Sequence, residues 1–230
     1  MGFIFEGIAR SLHLIVTANA EVMQAVAVSL KVGSLSTLIA TAISIPSAFC
    51  IAGRSFKGKR LLLTVINTLM GLPTVAVGLI VYAFLSRVGP LGRFGLLFTP
   101  AAIVIGQVIL AVPIITAIGI TAIGSVDKRV RETALTLGAN AKQASFAVFR
   151  EGRTAIFAAI IAGFGRVIAE IGVAMMLGGN IKGVTRTMTT AIALETSRGD
   201  FSLALAIALI LLLIVFSINL IFQRLQGRRS

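Results

Sequence analysis

Arg166 and Glu170 stand four residues apart in an otherwise apolar stretch, so a helix would place them on one face within reach of an ion pair. An unpaired charge at membrane depth is costly, which favours a paired, interior-facing arrangement. Two roles suit such a pair: a gate element or strut beside a translocation path, or a structural ion pair holding two spans together. No bond-making chemistry accompanies it. The chain has one His and one Cys, no His/Cys/carboxylate cluster, no nucleophile–base arrangement and no Walker glycine-lysine sequence. His13 reads as an ordinary surface residue and Cys50 as a small buried hydrophobe. The residues are suited to carrying charge through an apolar medium, and the chain is expected not to be an enzyme.

The second informative set is polar. Residues 124–153 read GSVDKRVRETALTLGANAKQASFAVFREGR, a long hydrophilic insertion between apolar runs. Val130, Ala134 and Leu137 recur at helical spacing, with Glu132 and four other charges around them. Gly138 permits the left-handed backbone that ends a helix. After Ala139, Asn140 with Gln143 has the form of a capping box. A second short helix is expected near 141–149, presenting Phe146 and Phe149 on one side, with Val148 between them. Short helices are marginal alone in water, so this hinged pair needs a partner surface.

These residues must be positioned by membrane spans. The chain has 230 residues, is 57% hydrophobic with mean hydropathy +1.01, and only 13% of it is charged. A soluble domain averages about 25% charged residues. Apolar segments at 22–52, 61–87, 98–123, 154–177 and 201–222 each exceed or approach the roughly 20 residues a helix needs to cross a bilayer. The formal net charge of +13 is distributed in alternation. Arg54–Arg60, Lys128–Arg153 and Arg224–Arg229 hold thirteen cations, against six in the other connections and the N-terminal segment. The positive-inside rule then puts the N-terminus outside and the C-terminus in the cytoplasm. It also accounts for the charge without nucleic acid as a partner. Pro46, Pro73 and Pro113 fall within spans, where kinks are expected. Of these, 71–79 (GLPTVAVGL) is the most suggestive of an interrupted helix, with Pro73 followed by Thr74.

The first residues lack the basic start and cleavage site of a signal peptide. Phe3, Ile4, Ile8, Leu12 and Ile15 recur near helical spacing, with Glu6, Arg10 and His13 elsewhere, as in a helix lying at the interface. The expected organisation is therefore an interfacial helix at 1–20 and one transmembrane domain at 21–230 that includes the cytoplasmic insertion 124–153. Lys31 reaches an interface by snorkelling or serves a pathway. Asn67 and Gln107 are expected to hydrogen-bond between helices.

The insertion resembles the EAA loop of ATP-binding-cassette importer permeases: Glu-Ala-Ala, three residues, Gly, nine residues, Ile, one residue, Leu-Pro. Here the match is Glu132-Thr133-Ala134, Gly138 and Val148; Thr133 replaces an Ala, and Arg150-Glu151 replace Leu-Pro. Residues 163–183 and 71–92 resemble the fourth and second core spans of the molybdate, tungstate and sulfate branch, and 185–201 is most similar to tungstate permeases. The resemblance implies an all-α polytopic membrane protein with the five-helix type I permease core. It also implies a coupling helix seated in a groove of an ATPase subunit. On this reading Glu132, Ala134, Gly138, Ala139, Asn140, Phe146, Val148 and Phe149 couple to the ATPase. Pro73, Thr74, Arg166, Glu170 and Gly172 belong to the translocation pathway or gate. The implied partners are ABC ATPase subunits, an external oxyanion-binding protein, a second copy of the chain and membrane lipid. No cofactor is bound by this chain; ATP and Mg belong to the ATPase. The expected cargo is tungstate, with molybdate or sulfate, or an ion-coupled secondary transporter, as alternatives.

Overall fold

The computed structural model describes residues 2–227, with side chains described for 8–224. The regular elements among them are helical: α1 (Gly2–Val16), α2 (Ala20–Ala52), α3 (Lys59–Met70), α4 (Thr74–Leu85), a short 3-10 turn (Gly92–Phe94), α5 (Pro100–Gly124), α6 (Lys128–Thr136), α7 (Ala141–Ile168), α8 (Gly172–Gly178), α9 (Met188–Arg198) and α10 (Phe201–Gly227).

Three helices, α2, α5 and α10, are long and apolar enough to cross a bilayer unbroken. The other two expected spans are bent pairs: α3 and α4 meet at 95°, α7 and α8 at 57°. Counting each pair as one span recovers five, but 61–87 and 154–177 are not the continuous rods that their apolar length suggests. In the first pair the chain turns at Gly71–Leu72–Pro73, where Pro73 caps α4 in an extended conformation. Proline also pushes Leu72 out of the helical region. Pro46 and Pro113, by contrast, lie inside α2 and α5, which run on through them as single helices.

The parallel pair α2 and α5 forms the centre, with α7 antiparallel against both. Ile103, Ala111 and Ile115 of α5, Ala40 and Val32 of α2, and Val167 of α7 are almost wholly buried there. Gly163 lies so close to Ile115 that only a residue without a Cβ fits the crossing. Gln107 ties the three helices together: Ser36 donates to its Oε1 at 2.9 Å, and its Nε2 donates to the Val167 carbonyl at 3.3 Å. That carbonyl also accepts the Glu170 N–H at 3.2 Å in the last turn of α7, so the buried amide shares an acceptor at the helix end and is itself satisfied. Asn67 does not play the same part; it is exposed on α3 with no side-chain partner among the described residues. Cys50, near the end of α2, is likewise exposed and not the buried residue its type suggests.

α1 packs against α10, but not through the face its apolar pattern suggests. Ser11 is fully buried and Leu14 joins the core formed by Val22, Leu203 and Ile207, while Ile8, Leu12 and Val16 stay exposed. Ser11 fits because its hydroxyl donates back to the Ile8 carbonyl. The face assignments of Phe3, Ile4 and Glu6 lie outside the described side chains.

Candidate functional site

The polar insertion begins with Asp127, whose carboxylate caps α6 by accepting from the Arg129 backbone N–H at 2.9 Å. α6 ends in a Schellman motif. The Ala139 N–H donates to the Ala134 carbonyl and the Gly138 N–H to the Leu135 carbonyl, both at 3.0 Å. Gly138 holds φ at +87°, the left-handed region that side chains with a Cβ rarely occupy. Two residues later Asn140 accepts from the Lys142 and Gln143 N–H groups, and Gln143 Oε1 accepts from the Asn140 N–H, completing the capping box.

The second helix is not a separate short segment. It is the first turns of α7, which continues from Ala141 to Ile168 into the membrane. Residues 141–150 and those before the bend to α8 therefore belong to one continuous rod. Val148 is buried against Ala48, Ile123 and Ile156, and Phe149 packs onto the same cluster. Phe146 is 65% exposed and stacks on Phe149 with ring centroids 6.3 Å apart. The two rings lie side by side on one side of α7, as expected, with Phe149 half-buried against the core and Phe146 mostly exposed. Leu137, assigned by periodicity to the buried side, is 82% exposed. Its N–H still bonds the Thr133 carbonyl at 3.1 Å, but as the C-cap residue before Gly138 it stands at the tip of the hinge, whereas Val130 and Ala134 are half-buried. Glu132 is exposed, and Ala139 is half-buried at the turn. An open groove of about 540 Å³ runs between Val130, Phe146, Arg150 and Arg153. The exposed large apolar residues of the insertion are Leu135, Leu137 and Phe146, of which Phe146 lines the groove together with Arg150, Glu151 and Arg153.

The five residues assigned to a pathway converge where the two broken spans meet. Gly172, first residue of α8, faces the start of α4 so closely that a Cβ would sit 2.6 Å from Thr74 Oγ1 and 3.1 Å from the Val75 nitrogen. Only glycine allows that approach. Arg166 Nη1 binds Glu170 Oε2 at 2.9 Å. Glu170 Oε1 accepts from the Val173 N–H at 3.2 Å, so the carboxylate also caps α8. The Glu170 side chain is 2% exposed and that of Arg166 38%. The pair does not bridge two spans; it staples the bend within one. What ties the bend to the rest of the protein is its backbone, since Thr189 Oγ1 donates to the Glu170 carbonyl at 2.8 Å.

The end of the protein opposite the insertion carries a polar network that sequence reasoning missed. Arg186 Nη1 binds Glu21 Oε1 at 2.9 Å and lies 3.7 Å from Glu195 Oε1. Lys182 holds the other Glu21 oxygen at 2.9 Å, and Arg198 holds Glu195 at 3.2 Å. Beneath them the buried run Thr185–Thr190 is sewn in by hydroxyls. Thr185 donates to the Gly178 carbonyl, Thr187 and Thr190 form a second capping box, and the Met188 N–H donates to Ser29 Oγ at 2.7 Å. Glu21 and Arg186 are 165 residues apart, so no local pattern announces their pairing. The one available signal was the density of threonine in a connection that otherwise reads as solvent-facing.

The family model described as "Binding-protein-dependent transport system inner membrane component" matches residues 23–230. The tungstate uptake system permease protein TupB of Campylobacter jejuni is 40% identical over 226 residues, covering 98% of this chain and 95% of that one. The protein of the same name from Peptoclostridium acidaminophilum is 38% identical, covering 98% and 99%. The molybdenum transport system permease protein ModB of Azotobacter vinelandii is more distant, 27% identical and covering 90% and 94%. Among solved structures, a chain of a bacterial alginate ABC transporter, crystallised in complex with its alginate pentasaccharide-bound periplasmic protein, superposes with a TM-score of 0.70. It is 19% identical and covers 91% of this chain and 80% of that one. At that identity the likeness bears on fold alone.

Proposed function

We infer the function from one premise, that this chain belongs to the family of binding-protein-dependent transport system inner membrane components: it is the permease subunit of an ATP-driven importer of a tetrahedral oxyanion, tungstate. The observation that carries this reading is similarity at about two residues in five, over nearly the whole chain, to permeases named for tungstate uptake. The permeases named for molybdenum are markedly less similar. ATP and Mg belong to a separate ATPase subunit, and the oxyanion is delivered by an external binding protein. One chain supplies too few spans to enclose a path, so two copies form the transporter. The basic connections face the cytoplasm, with the C-terminus there and the N-terminus outside.

In this reading the ATPase receives the α6–α7 hinge, with Glu132, Ala134, Gly138, Ala139 and Asn140 shaping it and Phe146 inserted. Movement passes along α7, which Val148 and Phe149 fix to the core, to the bend at Glu170. The anion passes where Pro73 and Thr74 of one broken span meet Gly172 of the other. There Arg166 is held by Glu170 and so presents no bare cation to trap the anion. Weak interaction favours release, which conduction requires. Selection is left to the external protein.

The test is uptake into vesicles containing this chain, its ATPase and its external binding protein, with tungstate, molybdate and sulfate supplied in turn. ATP-dependent accumulation of tungstate in preference to the others is expected. Preference for molybdate or sulfate would reassign the cargo within the class, and no ATP-dependent uptake of any of the three would overturn the reading.

A further inference from the structure

Lys31 is the charge within the spans that the protein leaves unanswered. Arg166 and Glu170 neutralise one another, whereas Lys31 makes no hydrogen bond or ion pair among the described residues. Its surroundings are apolar: it stands at the rim of a groove of about 270 Å³ between α2 and α5, walled by Val32, Leu35, Ala101, Val104 and Ile105. The depth of the groove follows from the helices. Pro100 and Ala101, beside Lys31, open α5, whose 25 residues measure about 37 Å at 1.5 Å each. The hydrocarbon layer is about 30 Å thick. The excess of about 7 Å, shared between the two ends, puts the first residues of α5 near headgroup depth. The Lys31 side chain beside them reaches the headgroups by snorkelling, and the groove continues alongside Leu35 and Ile105 into the acyl region. Thr99 already caps α5 through the Ala102 N–H, so the ammonium is the group that must find an anion.

We propose that this groove is a binding site for an anionic phospholipid of the leaflet farther from the α6–α7 insertion, with the lipid phosphate on Lys31 Nζ and an acyl chain between α2 and α5. A cation at headgroup depth over an apolar furrow matches both halves of such a lipid. The ammonium is spared the cost of unpaired placement, and Leu35, which is exposed in the isolated chain, is covered. The inference requires that the chain sits in a bilayer and is independent of which ion it carries.

The full-length protein, purified together with the subunits that accompany it, is delipidated and titrated with phosphatidylglycerol or phosphatidylcholine, and retained lipid is counted by native mass spectrometry. Wild type and Lys31→Arg are expected to retain phosphatidylglycerol about fivefold better than phosphatidylcholine, the effect of about one interfacial cation. Lys31→Gln should lose that preference, and Ala101→Phe, which fills the groove, should lower retention of both lipids. An unchanged preference in Lys31→Gln overturns the proposal. So does displacement of the phosphatidylglycerol by excess inorganic tungstate, which would place Lys31 on the route of the transported anion. Uptake is measured separately: an unchanged preference leaves the transport reading untouched, and displacement by tungstate leaves it standing with Lys31 added to the route.

Discussion

The two ends of this protein are built on opposite principles. At the end carrying the polar insertion, order is local: the caps of α6 and α7 and the Schellman turn are made by residues within a few positions of one another. Leu137 and Phe146 are left uncovered. At the other end, order is long-range: Glu21, Ser29 and the 182–198 stretch are bound across the whole length of the sequence, and Ser29, Arg186, Glu195 and the threonines of 185–190 are buried. The first kind of construction keeps its shape while being displaced as a unit, since none of its hydrogen bonds needs a distant partner. The second is an anchor, because moving any element breaks several buried bonds at once. The coupling proposed above would use both, an arm that is stiff within itself and a fixed end for it to work against.

The difference can be broken by substitution, with stability and uptake expected to rank the variants in opposite orders. The largest stability losses belong to the anchor and the bend. Arg186→Ala leaves Glu21 and Glu195 short of a buried partner and should cost about 3–5 kcal/mol, read as a fall in unfolding temperature in detergent. An unshifted transition would remove the claim that this end is an anchor. Glu170→Ala strips both Arg166 and the α8 cap, with an expected loss of the same order. Glu170→Gln keeps an acceptor for the Val173 N–H and should lose less. For the same reason exchanging Arg166 and Glu170 for one another should recover only partly from either single reversal, because an arginine at 170 cannot accept that N–H. Full recovery would mean that the capping bond is unimportant.

Smaller stability changes are expected in the arm. Gly138→Val forces a β-branched residue to φ +87° and should cost about 1–3 kcal/mol locally, with ATP hydrolysis uncoupled from uptake and membrane insertion intact. Asn140→Ala removes the cap of α7 for about 1 kcal/mol, visible as faster hydrogen exchange at 141–144. Phe146→Asp should leave the unfolding temperature in place, since the ring is mostly exposed, yet abolish coupled uptake. Normal uptake by both Gly138→Val and Phe146→Asp would refute the arm.

What was legible in the sequence follows this same division. The hinge at Gly138, the Asn140–Gln143 box and the Arg166–Glu170 pair are i to i+3 or i+4 relations that a chain states wherever it folds helically. The extent of α7 was not legible, because Gly152 interrupts the run between Phe149 and Thr154 and a polar stretch followed by an apolar one suggests two elements when it is one crossing an interface; the glycine is there for its close approach to Val126. The inward turn of Phe149 and the outward turn of Leu137 depended on where the α6–α7 hinge set each helix against α5. The bends at Pro73 and Glu170 differ in the same way: proline announced the first, while the second is held by the Glu170 carboxylate on Arg166 and the Val173 N–H and by a threonine nineteen residues on that binds the Glu170 backbone carbonyl.

Composition and charge alternation by themselves determined that this is a helical, five-segment membrane chain, since apolar length and the placement of basic residues are set one residue at a time. Local spacing also determined the shape of the hinged arm. The tertiary structure alone decided that the two broken spans meet at Gly172 and Thr74, and that Glu21, Ser29 and the threonine-rich connection close the opposite end. Contacts between residues more than a hundred positions apart become favourable only once packing has brought their helices together, and desolvation then makes each of those polar groups depend on its partner.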